Sequence, residues 1–344
     1  MDRYDPPYTI TDSMLERVAS ISEKLGRIST ARGLENKPQL RRNNRIKSIH
    51  SSLRIEANSL SLGQVRDVIG GKMVIGAQRE IQEVKNAYEA YERLPEIDPY
   101  SIDDLKTLHG IMTKCVVEES GFFRTGEEGV FNGDRCVFVA PPAKLVNELM
   151  ENLFDWMNRA RGSVHPLILS AVFHYEFVFI HPFADGNGRM ARLMHLWYLV
   201  QQGYSSALFV PLSEYVNKSR KGYYDAYTLA EENARISGVL DVTPFLVYFI
   251  ENVYHKLNGA IPARRTTKAF QAALSQGQVT EKEKALWSFV LSAYGEAEFS
   301  TKQLEKDFGN AAYATIRSFV LKFEHLGLLT STRYGNRVKY RVQA

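Results

Sequence analysis

The 344-residue sequence predicts a mainly α-helical protein of more than one unit, with one β-hairpin inside its first 250 residues and a second near its C-terminus. Three observations carry this. Apolar residues recur at helical spacing through most of the chain. Between Gly121 and Pro142 that spacing gives way to short apolar runs set among turn residues. From Thr280 onward the pattern becomes short capped helices followed by strand-like alternation. The length is large for one hydrophobic core, so two or three units are expected. An apolar fraction of 44% with 24% charged residues suits a well-cored chain, and a net charge of +4 is too small to argue nucleic-acid binding by the whole of it. Cys115 and Cys136 make neither a disulfide framework nor a metal site, which points to a reducing compartment. No charged leader precedes an apolar core at the N-terminus, and the most apolar run, Leu167 to Ile180, is too short to span a bilayer. A soluble cytoplasmic protein is expected.

Residues 1–95 read as an N-terminal helical region. Leu15, Val18, Ile21 and Leu25 mark the buried stripe of a helix from Asp12 to Ile28, with Asp12 or Ser13 as its N-cap. The basic run from Lys37 to Lys47 reads as a solvated helix face. Ile46, Ile49 and Leu53 then mark a buried face, Ser52 and Glu56 lie one turn apart beside it, and Asn58-Ser59 ends the helix. Ser61 and Gln64 form a capping box for a helix stopped by Gly70-Gly71. Lys72 to Leu94 is a long helical pattern with Val74, Ile81, Val84, Tyr88 and Tyr91 as its stripe.

Residues 96–257 form the next region. Ser101 caps a helix running to about Val117. The stretch 121–140, with its Asn132-Gly133 turn, reads as a hairpin ended by Pro141-Pro142. Leu145 to Met157 resumes helix, and Pro166 opens the apolar helix that delivers His181. Gly188 or Arg189 starts the next helix, which Gly203 closes. Asn217 to Asn233 carries Tyr223-Tyr224, and Thr243-Pro244 starts a further helix through Phe249. Residues 258–279, richer in small and polar side chains, are read as a linker or adapter. In 280–344, Thr280 with Glu283 and Ser300 with Gln303 cap two helices, and Asn310 to His325 is a third, stopped by Gly327. A hairpin over Leu328 to Val342 completes a winged helix-turn-helix domain.

The chemistry concentrates in His181-Pro-Phe-Ala-Asp-Gly-Asn-Gly-Arg-Met-Ala-Arg192. A helix opening here offers unpaired backbone N–H groups and the positive end of its dipole to an anion such as phosphate. Gly186 and Gly188 let the backbone approach a ligand closely. Arg189 and Arg192, three residues apart, can face one anion with bidentate geometry. Asp185 is placed to hold Mg²⁺ among phosphate oxygens. His181 is a ready general base near neutrality.

This run matches the Fic family signature HxFx(D/E)GNGRxxR at every specified position, and the likeness extends over roughly residues 40–255. The resemblance implies a Fic-type helical core and transfer of AMP from ATP to a Ser, Thr or Tyr hydroxyl of a target protein or of the chain itself. The catalytic residues it implies are His181, Asn187 and Arg189. His181 would deprotonate the hydroxyl, and Asp185 would hold Mg²⁺ between the α- and β-phosphates. Gly186, Asn187 and Gly188 would form the anion hole, Arg189 would grip the β-phosphate, and Arg192 would orient the γ-phosphate. The GNGR segment that kinase-like relatives replace is intact here. The 121–140 hairpin resembles the family's flap, with Val137 and Phe138 over the site, pairing with an extended target segment. Tyr223 and Tyr224 match a Tyr-Tyr pair near the adenine.

Ser52 and Glu56 resemble the family's inhibitory helix, S/T-x-x-x-E-G/N, standing N-terminal to the catalytic segment, with Ala57 where Gly or Asn is usual. A Glu56 carboxylate on Arg192 would take the guanidinium that the γ-phosphate needs. By positioning a water, the same glutamate would let the enzyme remove AMP as well. A homodimer is a further expectation. Residues 311–344 hold Arg317, Lys322, Arg333, Arg337, Lys339 and Arg341 against the single acidic Glu324, so the C-terminal unit is expected to dock DNA or a protein. The alternative to an enzyme is a DNA-binding regulator with a nucleotide-sensing, weakly catalytic core.

Overall fold

A computed structural model describes residues 4–30, 38–132, 135–254, 264–294, 298–309, 311–335 and 337–343. The chain divides into two compact units, one of residues 1–34 and 44–258, the other of residues 35–43 and 259–344. The first contains α1 (Asp12–Thr30), most of α2 (Pro38–Ile55), α3 (Leu62–Ile69), α4 (Gln78–Arg93) and α5 (Ile102–Thr113). An antiparallel hairpin follows, β1 (Gly129–Asn132) with β2 (Arg135–Val139), and then α6 (Val146–Ala160), α7 (Pro166–Ile180), α8 (Asn187–Gln201), α9 (Leu212–Lys218), α10 (Arg220–Ser237) and α11 (Thr243–Tyr248). A π-helical turn, Phe249–Val253, continues α11.

The centre of this unit is the antiparallel pair α7 and α8. Both are buried around nearly their whole circumference, as expected of helices without a polar face. Phe173, Tyr175, Phe177 and Tyr198 are among its largest fully buried side chains. At about 1.5–3 kcal/mol for each large apolar side chain removed from water, this layer fixes where α7 ends and α8 begins. The loop between them carries the twelve-residue run.

Local signals place most of the other elements. The Ser61–Gln64 capping box is formed at α3, and Ser101 accepts the Asp104 N–H at α5. Several expectations are corrected. Met14, not Leu15, turns inward on α1, and Leu15 is exposed. The helix expected from Lys72 begins only at Gln78. Gly71 is left-handed (φ +73°), and a Cβ at Gly76 would overlap Leu60, so Lys72–Ala77 crosses as an irregular loop. Met73 and Ile75 on that loop are 99% and 93% exposed, so the helical spacing of Val74 was fortuitous. α5 stops at Thr113, short of Val117, because Lys114 leaves helical backbone and Cys115 is left-handed (φ 60°). The hairpin is confined to 129–139; Phe122–Thr125 forms no strand. The turn residue Gly133 and the side chains of Leu25 and Val137 lie outside the described residues, as do residues 258–263 of the expected linker.

The second unit contains α12 (Arg264–Ser275), α13 (Glu281–Ala293), α14 (Thr301–Phe308) and α15 (Tyr313–His325), followed by the antiparallel pair β3 (Leu329–Tyr334) and β4 (Arg337–Val342). The capping box of Thr280 with Glu283 and the Ser300 cap are both formed. Leu286, Trp287, Phe299, Ile316, Phe319 and Phe323 form a core separate from the first. Phe299 exchanges two backbone hydrogen bonds of 2.8 Å with Tyr340, adding a third edge to the hairpin. Among the described residues no helix is long and apolar enough to cross a membrane.

Candidate active site

α7 ends because His181 takes a left-handed conformation (φ 52°), its N–H donating to the Phe177 carbonyl. This turn aims the imidazole out of the helical stack. Nδ1 lies 3.1 Å from the Val178 carbonyl oxygen. A carbonyl only accepts, so Nδ1 carries the proton and Nε2 keeps a free lone pair. Burial holds the His181 pKa below the ordinary histidine value, so the ring is neutral at pH 7.

The loop behind it is closed by Asn187, whose side-chain oxygen accepts the Phe183 N–H at 2.9 Å and whose Nδ2 donates to the Phe183 carbonyl at 2.6 Å. The Asn187 side chain is therefore spent on the loop, and only its backbone N–H remains to join the helix N-terminus. Gly186 precedes α8 with φ 83°, a conformation suited to glycine. At Gly188 a Cβ would overlap the carboxylate of Glu56. That carboxylate lies against the first turn of α8, where the backbone and dipole favour negative charge.

Both arginines are buried. Arg192 donates from Nε to Ser52 Oγ at 2.9 Å, and from Nη2 to the Ser52 carbonyl at 3.0 Å and Glu56 Oε1 at 2.7 Å. Burial is the largest single influence and would lower its pKa, but the charge and hydrogen bond of Glu56 together with Tyr223 and Tyr224 outweigh it and raise the pKa. Arg192 is 2% exposed and Glu56 38%, so the carboxylate is the partner free to leave. Ala57, directly after Glu56, is left-handed (φ 67°), which gives a physical reason for the Gly or Asn usual there. Arg189 donates from Nη2 to Asp185 Oδ1 at 2.7 Å, while its buried Nε and Nη1 have no hydrogen-bond partner among the described residues. Burial would raise the Asp185 pKa, but Arg189, the Gly186 N–H and Arg79 together hold it below the usual carboxylate value.

His181, Asp185, Gly186, Gly188, Arg189, Arg192, Ser52 and Glu56 thus gather at the α7–α8 loop. The Phe138 ring of β2 lies 6.5 Å from that of His181. The two tyrosines of the pair are placed differently. Tyr223 is buried in the core, its hydroxyl 2.9 Å from His174 Nε2, and has no face free for a base. Tyr224 is 44% exposed, with Arg220 over its ring.

Three residues of the site were not singled out in the sequence. Arg124, 3% exposed, donates from Nε to the His181 carbonyl at 2.7 Å, from Nη1 to Gly126 at 2.8 Å and from Nη2 to Pro141 at 2.6 Å. It ties the α7–α8 loop to both feet of the hairpin. His109 stacks on Phe183 with ring centroids 3.7 Å apart. Its Nδ1 accepts the Gly121 N–H at 2.9 Å, so Nε2–H donates to the Asp185 carbonyl at 3.0 Å. Burial pushes the His109 pKa down to about 4, so it braces the loop as a neutral ring. Arg79 donates to Asp185 Oδ2 at 2.8 Å. The apolar face of α5 was a signal for His109, which follows Leu105 by four residues. Arg79 and Arg124 gave none, because a lone arginine in a polar stretch reads as surface.

The Fic/DOC family profile matches residues 99–199, which hold α5 to α7, the hairpin and all but the last two residues of α8. The crystal structure of a Fic family protein from Desulfovibrio desulfuricans G20 is similar over 99% of both chains, at 35% identity and TM-score 0.69. Protein adenylyltransferase fic-1 of Caenorhabditis elegans is 29% identical over 229 residues, 64% of this chain and 42% of its own. Protein adenylyltransferase Fic of Drosophila willistoni is 28% identical over 246 residues, 68% of this chain and 45% of its own. The chain therefore spans less than half the length of these curated relatives. With its whole length matched to a Fic protein and the signature folded around the α7–α8 loop, the chain belongs to the Fic family.

Proposed function

We propose that the protein is an adenylyltransferase that moves AMP from ATP to a hydroxyl side chain of a protein, and that Glu56 restrains it. One observation carries this reading: the chain's own carboxylate rests on Arg192 and over Gly188, where a phosphate would be drawn. In the transfer, His181 Nε2 takes the proton of the target hydroxyl as its oxygen attacks the α-phosphorus. The bond from that phosphorus to the bridging oxygen breaks, and pyrophosphate leaves. The N-terminus of α8, Arg189 and Arg192 stabilise the phosphate charge, which is positioning and electrostatics rather than covalent catalysis. The partnerless buried Nε of Arg189 fits a phosphate oxygen. The donor set also fits Mg²⁺, since one carboxylate, Asp185, with phosphates and water makes a usual magnesium environment. Bound there, the ion would neutralise phosphate charge. Incubation with ATP and Mg²⁺ followed by intact-mass measurement tests the reading. A gain of one AMP is expected, increased in Glu56→Gly and absent in His181→Ala. No adduct on the chain or on proteins of a lysate would overturn the transfer, and no gain in Glu56→Gly would overturn the restraint.

We further propose that the second unit is a winged helix that contacts DNA. The observation favouring it is the alternation on β4. Arg337, Lys339 and Arg341 are exposed, while Val338, Tyr340 and Val342 face the core side. Three cations therefore share one strand face, paired in register with Tyr334, Thr332 and Thr330.

A further inference from the structure

Resting on the adenylyltransferase reading, we propose that Arg79 is a positioning residue that occupies the Asp185 carboxylate in the resting enzyme, and so sets how much divalent cation is needed for nucleotide to bind. Asp185 Oδ1 accepts from both Arg189, at 2.7 Å, and the Gly186 N–H, which uses its two lone pairs, while Oδ2 accepts from Arg79 alone at 2.8 Å. The two guanidinium groups differ in freedom. Arg189 is 3% exposed and cannot leave without leaving a buried charge, whereas Arg79 is 62% exposed. An incoming cation must therefore take Oδ2, the oxygen Arg79 holds, and must do so against its positive charge. Arg79 has somewhere to go. Glu83, one turn along α4, already places Oε1 3.5 Å from Arg79 Nε, and the same oxygen lies 3.6 Å from Arg189 Nη1.

The same turn of α4 grips the segment that follows Glu56. Glu83 Oε2 accepts from Asn58 Nδ2 at 2.9 Å, and the Glu80 carboxylate accepts from the Ser59 N–H at 2.7 Å and the Ser59 hydroxyl at 2.8 Å. Arg79, Glu80 and Glu83 thus fasten the carboxylate proposed to meet the metal and the turn bearing the restraining glutamate to one helix end. A movement of Arg79 toward Glu83 Oε1 leaves the Asn58 and Ser59 contacts in place and vacates only Asp185 Oδ2.

The test is binding of a non-hydrolysable fluorescent ATP analogue to the full chain at a series of Mg²⁺ concentrations and in EDTA. It is made in the Glu56→Gly background so that the restraint does not mask it. Arg79→Ala is expected to lower the half-saturating Mg²⁺ about two- to five-fold, in keeping with loss of one exposed ion pair. Arg79→Lys, which keeps the charge, is expected to stay near the parent. Unchanged affinity in EDTA is expected for both. A half-saturating Mg²⁺ that is unchanged or higher in Arg79→Ala overturns the inference. So does weaker binding in EDTA, which would make Arg79 a phosphate ligand instead. Binding with unshifted metal dependence sinks this inference alone, whereas no nucleotide binding in any variant sinks the functional reading with it.

Discussion

The hydrogen bond from His181 Nδ1 to the Val178 carbonyl fixes the tautomer, and burial rather than a charged partner is the main cause of its lowered pKa. The imidazole is thus held with Nε2 unprotonated without an orienting carboxylate, and the proposed role as base carries a consequence for pH dependence. Because the folded pKa lies below the ordinary value of 6.5, the neutral form predominates at pH 7 and is lost as pH falls through that lowered value. In Glu56→Gly, kcat/KM for AMP transfer is expected to be flat from neutral pH to about pH 8, with its acid limb centred below 6.5. An acid limb centred at or above 6.5 would mean that the ring is not held as seen here. The neighbouring His109, pushed down to about 4, stays neutral through the same range and contributes no limb of its own near neutrality.

Among elements, the decisive arrangement is the end of α7, the start of α8 and the hairpin, and one side chain joins them. Arg124 donates to carbonyls of His181, Gly126 and Pro141 and is almost wholly buried. Arg124→Ala leaves those carbonyls without their charged donor, and at about 1–3 kcal/mol for each buried group left unsatisfied, a stability loss of about 3 kcal/mol is expected. The loss is partly recovered in Arg124→Lys, which can satisfy one or two of the three. AMP transfer should fall in both at a temperature where both remain folded by circular dichroism, because the hairpin and His181 no longer share an anchor. Full activity in folded Arg124→Ala would show the tie to be structural only. This is also where the sequence was least legible. The motif from His181 to Arg192 could be read because its chemistry is local, and the caps of α3, α5, α13 and α14 because they span three residues. The pairing of Glu56 with Arg192 crosses 136 residues and was read from resemblance and charge. The contacts Arg79 to Asp185, across 106 residues, and Arg124 to His181, across 57, had no comparable pattern behind them. Lys72–Ala77 failed for the opposite reason, since apolar spacing persisted through a segment that follows the left-handed Gly71 and stays irregular up to α4.

On the scale of the whole molecule, charge is divided between the two cores. Residues 264–344 carry thirteen Lys and Arg against seven Asp and Glu, a net +6 that exceeds the +4 of the entire chain and leaves the rest at −2. A mild overall charge therefore conceals one basic unit, and the reading of the total as too small for nucleic acid does not apply to it. Not every cation there is available. Lys322 is paired with Glu283 at 2.8 Å, and Lys339 lies 3.9 Å from Glu298. Arg317 on α15 and Arg333, Arg337 and Arg341 on the hairpin are exposed and remain for phosphates. With about 0.9 counterions released for each phosphate neutralised on B-form DNA, four such contacts predict a slope of about −4 for log affinity against log salt concentration. Fluorescence anisotropy of a labelled duplex with the full chain measures this, and Arg337→Ala combined with Arg341→Ala should reduce the slope by about 2 while leaving AMP transfer intact. A phosphate-dominated contact would also bind unrelated duplexes with similar affinity, since phosphate contacts carry no sequence information. A slope near zero, or no binding at low salt, would remove DNA as the partner and leave the basic face of the hairpin to an acidic protein surface.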